Sequence, residues 1–225
     1  QLCIADSRSG PLSRFRTLAG SIILAKKLRK RLDSQPMVGL LLPPSVGGAL
    51  ANISLQIMGK TPVNLNYTAT NTTIASCARQ CGITQCITAK AFLDRLPVEV
   101  PGEPILLEDI MKTVRTADRI AAMFWALFAP QRLIEWRVGG PWRRSEHELA
   151  SIIFSSGSEG EPKGAMLTQR NVLGNVTQFV QVFPHKRNVT MMAFLPLFHS
   201  FGFTATLWAP LICGVNSVFH PSPLE

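Results

Sequence analysis

The sequence predicts an α/β fold, layered α/β/α around a mostly parallel sheet. Short apolar runs alternate with helical patterns along the chain, the arrangement in which crossover helices cover both faces of parallel strands. Several of those runs are continuous rather than alternating, as strands buried on both faces are. The composition, 46% hydrophobic and 16% charged over 225 residues, supplies a sizeable core and excludes a disordered chain. That length suits one large domain or two small ones.

In order, Leu18, Ile22, Ala25, Leu28 and Leu32 recur at helical spacing, and Lys26, Lys27, Arg29, Lys30 and Arg31 gather toward the C-terminal end, where cations suit the helix dipole. Met37 to Leu42 is an apolar run closed by Pro43 and Pro44, read as a buried parallel strand, and Gly47 and Gly48 open a helix to about Met58. A strand at Pro62 to Leu65, a helix at Asn71 to Gln80, a strand at Gln85 to Thr88 and a helical turn at Ala91 to Leu96 follow. After a proline-rich break from Pro97 to Pro104 comes the strand Ile105 to Leu107. No internal repeat is visible.

From 117 to 144 the pattern changes to a basic amphipathic insertion. Ile120, Met123, Phe124, Leu127 and Phe128 form a stripe at helical spacing, Pro130 interrupts, and Leu133, Ile134 and Trp136 resume among Arg132, Arg137, Arg143 and Arg144. Such a segment either lies in a lipid headgroup boundary or packs against its own domain. Spacing alone favours the second, and Trp125, Trp136 and Trp142 within it point back toward the interface.

From Ile152 to Thr168 the chain reads IIFSSGSEGEPKGAMLT. Ile152 to Phe154 is the end of a buried strand; Ser155, Ser156, Gly157, Ser158 and Gly160 follow as a loop of small side chains. A loop of this kind can turn backbone N–H groups and hydroxyls around an anion, with Lys163 adding positive charge. The P-loop spacing GxxxxGK[ST] fails, because Pro162 and Ala165 stand where it needs glycine. Neither GxGxxG nor the nucleophile elbow GxSxG is present. Beyond the loop, Asn171 to Val182 reads as helix, Met191 to Leu195 as strand, Thr204 to Leu211 as helix and Val215 to Phe219 as strand. His199, between a strand end and the turn at Gly202, suits a structural or a catalytic role.

Together, FSSGSEGEPKG at 154–164 and LPLFHSFG at 195–202 resemble the adenylate-forming, acyl-activating superfamily of acyl-CoA synthetases, luciferases and peptide-synthetase adenylation domains, whose loop reads roughly TSGSTGxPKG and whose next motif reads LPxFHxxG. The SGSEG variant, with GKTPVNLNYT at 59–68 and HPSPLE at 220–225, is similar to the synthetase portion of bifunctional acyl-acyl carrier protein synthetase and 2-acylglycerophosphoethanolamine acyltransferase proteins. The resemblance runs from about Ser13 to Glu225. It implies an incomplete large N-terminal domain of an adenylate-forming enzyme over residues 1–225, with the small C-terminal domain absent.

The resemblance implies the following chemistry. A fatty acid carboxylate attacks the α-phosphate of ATP to give an acyl adenylate and pyrophosphate, and a thiol of acyl carrier protein or coenzyme A then displaces AMP. Ser155, Ser156, Gly157, Ser158, Gly160 and Lys163 would hold the β- and γ-phosphates. Glu159, where the family has threonine, either helps hold Mg²⁺ through water or points to solvent. His199 would lie near the carboxylate and α-phosphate, with Phe198 and Phe201 shaping the acyl site. The fragment alone is expected to be inactive. No HxxxxD acyltransferase motif occurs: five residues after His147, His185, His199 and His220 stand Ile152, Thr190, Thr204 and Glu225.

The formal charge of +9 and pI near 9.8 suit anionic partners. Nucleic acid is not among them, since no Lys/Arg block interleaved with aromatics and no recognisable nucleic-acid motif is present. Five cysteines at irregular spacing give neither a disulfide framework nor a metal set, which points to a reducing compartment. The sequence also lacks a signal peptide and a run of about 18 apolar residues. The expected location is the cytoplasm, with peripheral contact on the inner face of an anionic membrane. A competing class is a non-enzymatic module that binds a membrane surface or a carrier protein; a plainer one is a degenerate fragment with no partner.

Overall fold

Side-chain caps start the first three helices. Ser13 accepts from the Arg16 amide to begin α1 (Arg14–Leu28), Ser45 from Gly48 to begin α2 (Val46–Ile57), and Thr70 from Thr73 to begin α3 (Asn71–Gln80). Each satisfies an amide that the first helical turn leaves without a partner. The computed structural model describes residues 2–32, 34–155, 161–182 and 189–220.

Two four-stranded sheets and a hairpin carry the strands, where the sequence suggests one sheet. The first sheet runs β2 (Leu12–Ser13), β1 (Leu2–Ala5), β10 (Asn216–Phe219), β9 (Thr190–Ala193); only the β1 to β2 pairing is antiparallel. The second runs β4 (Thr61–Asn64), β3 (Met37–Leu41), β5 (Gln85–Thr88), β6 (Glu103–Leu106) and is parallel throughout. β7 (Leu149–Ser155) and β8 (Lys163–Thr168) form the antiparallel hairpin. Ser151, fully buried in β7, donates its hydroxyl to the Pro62 carbonyl of β4 at 2.7 Å, tying hairpin to sheet.

The second sheet is sandwiched as the α/β/α reading requires. Val38, Leu40, Ile87 and Ile105 face Leu24, Leu28, Ala51 and Leu55 of α1 and α2, while Leu41, Val63 and Cys86 face Ile74, Cys77 and Ala78 of α3 and Phe92 of α4 (Lys90–Leu93). Parallel strands must be covered on both faces because both carry apolar side chains. The first sheet packs Ile4, Ala193 and Phe219 against α2, α8 (Gln169–Val182) and Phe203 in the π-helical segment Gly202–Trp208, which runs into α9 (Ala209–Cys213).

The remaining described helices are α5 (Leu107–Lys112), α6 (Thr116–Phe128) and α7 (Gln131–Arg137), of which α6 and α7 fall in the basic stretch read as an insertion over 117–144. All five cysteines are free, with Cys3, Cys77 and Cys86 buried. Among the described residues, no helix is long and apolar enough to cross a membrane.

Candidate active site

The hairpin brings the two ends of the serine and glycine stretch face to face. Ser155 at the end of β7 is the register partner of Lys163 at the start of β8, and the Ser155 hydroxyl reaches the Lys163 carbonyl at 3.4 Å. Both residues are exposed, whereas Ile152 and Ile153 just before them are buried. The strand therefore changes from core to solvent at the point where the loop leaves it. Gly164 faces Phe154, and a Cβ there would meet Ile152 Cγ2 at 2.9 Å and the Phe154 ring at 3.1 Å, so any larger residue must displace those two side chains. Ser156, Gly157, Ser158, Glu159 and Gly160 lie outside the described residues.

The far limb of the stretch is held by α3. Ser76 donates to the Glu161 carboxylate, and Gln80 donates to the Pro162 carbonyl at 2.9 Å. Ser76 and Gln80 are four apart and share one helix face. They border, with Arg79, Glu161, Lys163 and Gly164, an open depression of about 760 Å³. Nothing in the sequence reading singles out Ser76, Arg79 or Gln80, because a serine, an arginine and a glutamine on a helix carry no motif. Lys163 is exposed, and among the described residues no carboxylate lies within ion-pair distance of it.

His199 sits in a tight loop after β9. Its amide donates to the Pro196 carbonyl at 3.1 Å, and its own carbonyl accepts from Phe203 at 2.8 Å. A Cβ on Gly202 would come within 2.2 Å of the Pro196 oxygen. The glycine of the LPLFHSFG run is thus required by backbone contact. The His199 ring is exposed and tilts on Phe198, centroids 4.6 Å apart. Phe198 is buried edge-on against Tyr67 at 4.9 Å, and Tyr67 stands edge-on to Phe92 at 5.1 Å. Burial pushes the Tyr67 phenol up to about 12, so it stays neutral near pH 7.

Phe201 is exposed and edge-on to Phe179 of α8 at 6.5 Å. Phe198 thus anchors the loop in the core, while His199 and Phe201 are presented at the surface. Among the described residues, no hydrogen bond or ion pair joins Lys163 to His199.

Residues 20–225 match the family described as AMP-binding enzyme. The chain belongs to the AMP-binding enzyme family. Family relatives include the medium-chain fatty-acid–CoA ligase of Escherichia coli, 38% identical over 71 residues, which is 32% of this chain and 12% of that protein. Another, 4-coumarate–CoA ligase 4 of Arabidopsis thaliana, is 23% identical over 97% of this chain and 40% of its own length. The chain thus spans at most 40% of these two curated relatives.

In fold the chain is similar to O-succinylbenzoate coenzyme A synthetase from Bacillus subtilis, solved in complex with ATP and magnesium ion. The TM-score is 0.78 at 17% identity, over 99% of this chain and 54% of that one. The likeness accords with the α/β fold of mainly parallel sheets.

Proposed function

We propose that the protein to which this chain contributes activates a fatty acid at the expense of ATP and transfers it to the thiol of acyl carrier protein or coenzyme A. The observation that carries the reading is the hairpin that sets Ser155 opposite Lys163 at the mouth of the serine and glycine stretch in an AMP-binding chain.

In the first step a carboxylate oxygen bonds to the α-phosphorus, the bond to the bridging oxygen breaks, and pyrophosphate leaves with the electron pair. In the second, the thiol sulfur bonds to the acyl carbon, AMP leaves, and the thiol proton is lost. Phosphoryl-centre substitution depends on positioning and charge neutralisation more than on covalent help. Ser155 and Lys163, with Ser156, Gly157, Ser158 and Gly160, are assigned to the β- and γ-phosphates. An exposed hydroxyl and an exposed ammonium group at facing strand ends suit phosphate oxygens.

His199 is assigned to the carboxylate and α-phosphate, and Phe198 and Phe201 to the acyl side, Phe198 by fixing the loop from within. Mg²⁺ beside a nucleotide takes one or two carboxylates, substrate phosphates and water. Among the described residues, no group of three or more acidic, histidine or cysteine side chains offers it a cage, and no step is assigned to it. The narrower assignment is a synthetase of the acyl carrier protein and acylglycerophosphoethanolamine type acting on long chains. Under this proposal the 225-residue chain is an incomplete N-terminal AMP-binding domain, working in the cytoplasm and on the inner membrane face.

The test is fatty-acid-dependent exchange of pyrophosphate into ATP by the complete protein. Exchange that falls about a hundredfold or more in Lys163→Ala, with the fold retained, supports the assignment, on the scale of losing one charge-stabilising donor. Unchanged exchange in Lys163→Ala removes it. Exchange by the 225-residue chain alone would show that no further domain is needed.

A further inference from the structure

α6 is inverted relative to an ordinary amphipathic helix on a globular domain, which turns its large apolar residues inward. Here Ala122, Ala126 and Ala129, with Trp125, pack on Ala19 and Ile22 of α1. Asp118, which α6 also turns toward α1, is gripped by Lys26 at 2.9 Å and Lys27 at 2.7 Å. The large residues lie opposite: Ile120, Met123, Phe124, Leu127 and Phe128 are exposed at 65, 48, 60, 64 and 66%. Their spacing sets them in one stripe along the helix, and the Phe124 and Phe128 rings touch at 4.9 Å. A contiguous apolar stripe in water, rimmed by polar residues, marks an interaction surface.

The rim is cationic, and among the described residues no ion pair engages its exposed arginines. Arg115, Arg119, Arg132, Arg137 and Arg143 are exposed. The two carboxylates in the same stretch are already engaged, Asp118 by the lysines and buried Glu135 by Arg144 at 3.4 Å and Gln131 at 2.8 Å. Trp136 and Trp142 are also exposed, and a cleft of about 430 Å³ at α7 is lined by Arg132, Arg143, Arg144 and Trp142.

Charge selects the occupant. A second copy of a chain carrying +9 would set one arginine rim against another. A protein partner would have to present a groove matched to the whole stripe, whereas an acyl layer receives projecting apolar side chains without one. Projecting Phe, Leu, Ile and Met enter an acyl boundary while arginines meet anionic headgroups and tryptophans sit between.

We propose that α6 and α7 form a docking face for an anionic phospholipid bilayer, with the 120–128 stripe inserted and the arginine rim on the headgroups. This stands independently of the ligase reading, because its test measures binding alone.

The experiment is sedimentation of the 225-residue chain with phosphatidylglycerol/phosphatidylcholine vesicles and with phosphatidylcholine vesicles, at low salt, beside tryptophan quenching by brominated acyl chains. The expected result is partition into the anionic vesicles roughly tenfold or more above the neutral ones, weakened by 0.5 M salt, with quenching. Phe124→Ser with Phe128→Ser, and separately Arg119→Glu with Arg132→Glu, should each lower partition about tenfold or more. All four side chains are exposed, and unchanged circular dichroism would certify the fold.

No partition at low salt overturns the proposal, as does partition that survives the phenylalanine pair. Salt-sensitive sedimentation without quenching would leave only surface attraction and also overturns insertion. Displacement from vesicles by an acidic carrier protein that itself binds the stripe would reassign the face to a protein.

Discussion

The Ser76 hydroxyl donates to the Glu161 carboxylate, joining α3 to the far limb of the serine and glycine stretch. With Gln80 holding the Pro162 carbonyl at 2.9 Å, two side chains on one helix face fix where the chain emerges before Lys163. Ser76 is buried, so Ser76→Ala strips a partner from a carboxylate. Glu161 is exposed and can turn to water, so the expected cost is about 0.5–1.5 kcal/mol of stability, read from the denaturant midpoint. In the complete protein Ser76→Ala and Gln80→Ala should both raise the KM for ATP several-fold, because each frees the same limb. A loss of stability in both variants with the ATP dependence unchanged would make the clamp purely structural.

Much of this frame is legible in the sequence because it is local. The bounds read for α3 and β5 coincide with those observed, since a threonine cap and short apolar runs between turn residues are signals within a few positions. β8 is not legible: KGAMLT has neither strict alternation nor a buried run, and its strand character comes from pairing with β7. β1 likewise depends on β10, some two hundred residues away. The division into two sheets therefore escapes a reading of neighbours. Spacing alone favours packing the stripe on α6 against the domain, and the nearby tryptophans point the other way. The small residues opposite it decide, since alanines permit close approach to α1 and leave the phenylalanines outside. For His199 the flanking motif is visible, whereas the seat of Phe198 on Tyr67 needs two elements brought together.

Two glycines should respond in opposite directions to the same substitution. At Gly202 an added methyl would press on the backbone oxygen of Pro196, so Gly202→Ala must move the loop that carries His199. A loss of about 1–3 kcal/mol is expected, with a shifted His199 ring resonance in NMR. At Gly174, inside α8, a Cβ meets nothing within 4 Å. Gly174→Ala should stabilise by about 0.5–1 kcal/mol through helix propensity. Thermal melts of the two variants check both signs.

Asn52 of α2 and Asn64 of β4 exchange amide hydrogen bonds at 3.2 and 2.9 Å, both buried. Asn52 also donates to the Gly48 carbonyl at 2.9 Å. Truncating one partner leaves the other with a buried amide and no donor or acceptor opposite, which costs about 1–3 kcal/mol. Asn52→Ala and Asn64→Ala should each destabilise by that amount, and the double variant by less than the total of the two. Strict additivity in a double-mutant cycle would show that the pair is not coupled.

Asp118 ties α6 to α1, and the Lys27 and Lys26 ammonium groups with the Arg115 amide hold its carboxyl well below the usual carboxylate range. A depressed folded-state pKa means that the contribution is fully present above the unfolded value, about 3.9. It is lost as pH falls below that value toward the folded one. Asp118→Asn should therefore lower the Tm at pH 7, and the gap from the parent should narrow as the medium is taken from pH 4 toward pH 2. Because the contact fixes α6 rather than the sheets, hydrogen exchange should accelerate first in amides 116–128 and spare β3 and β5. Equal acceleration in the sheet would mean that α6 and the central layers open as one unit, and that the inverted helix is part of the core's cooperative structure rather than an appendage held on by alanines and one carboxylate.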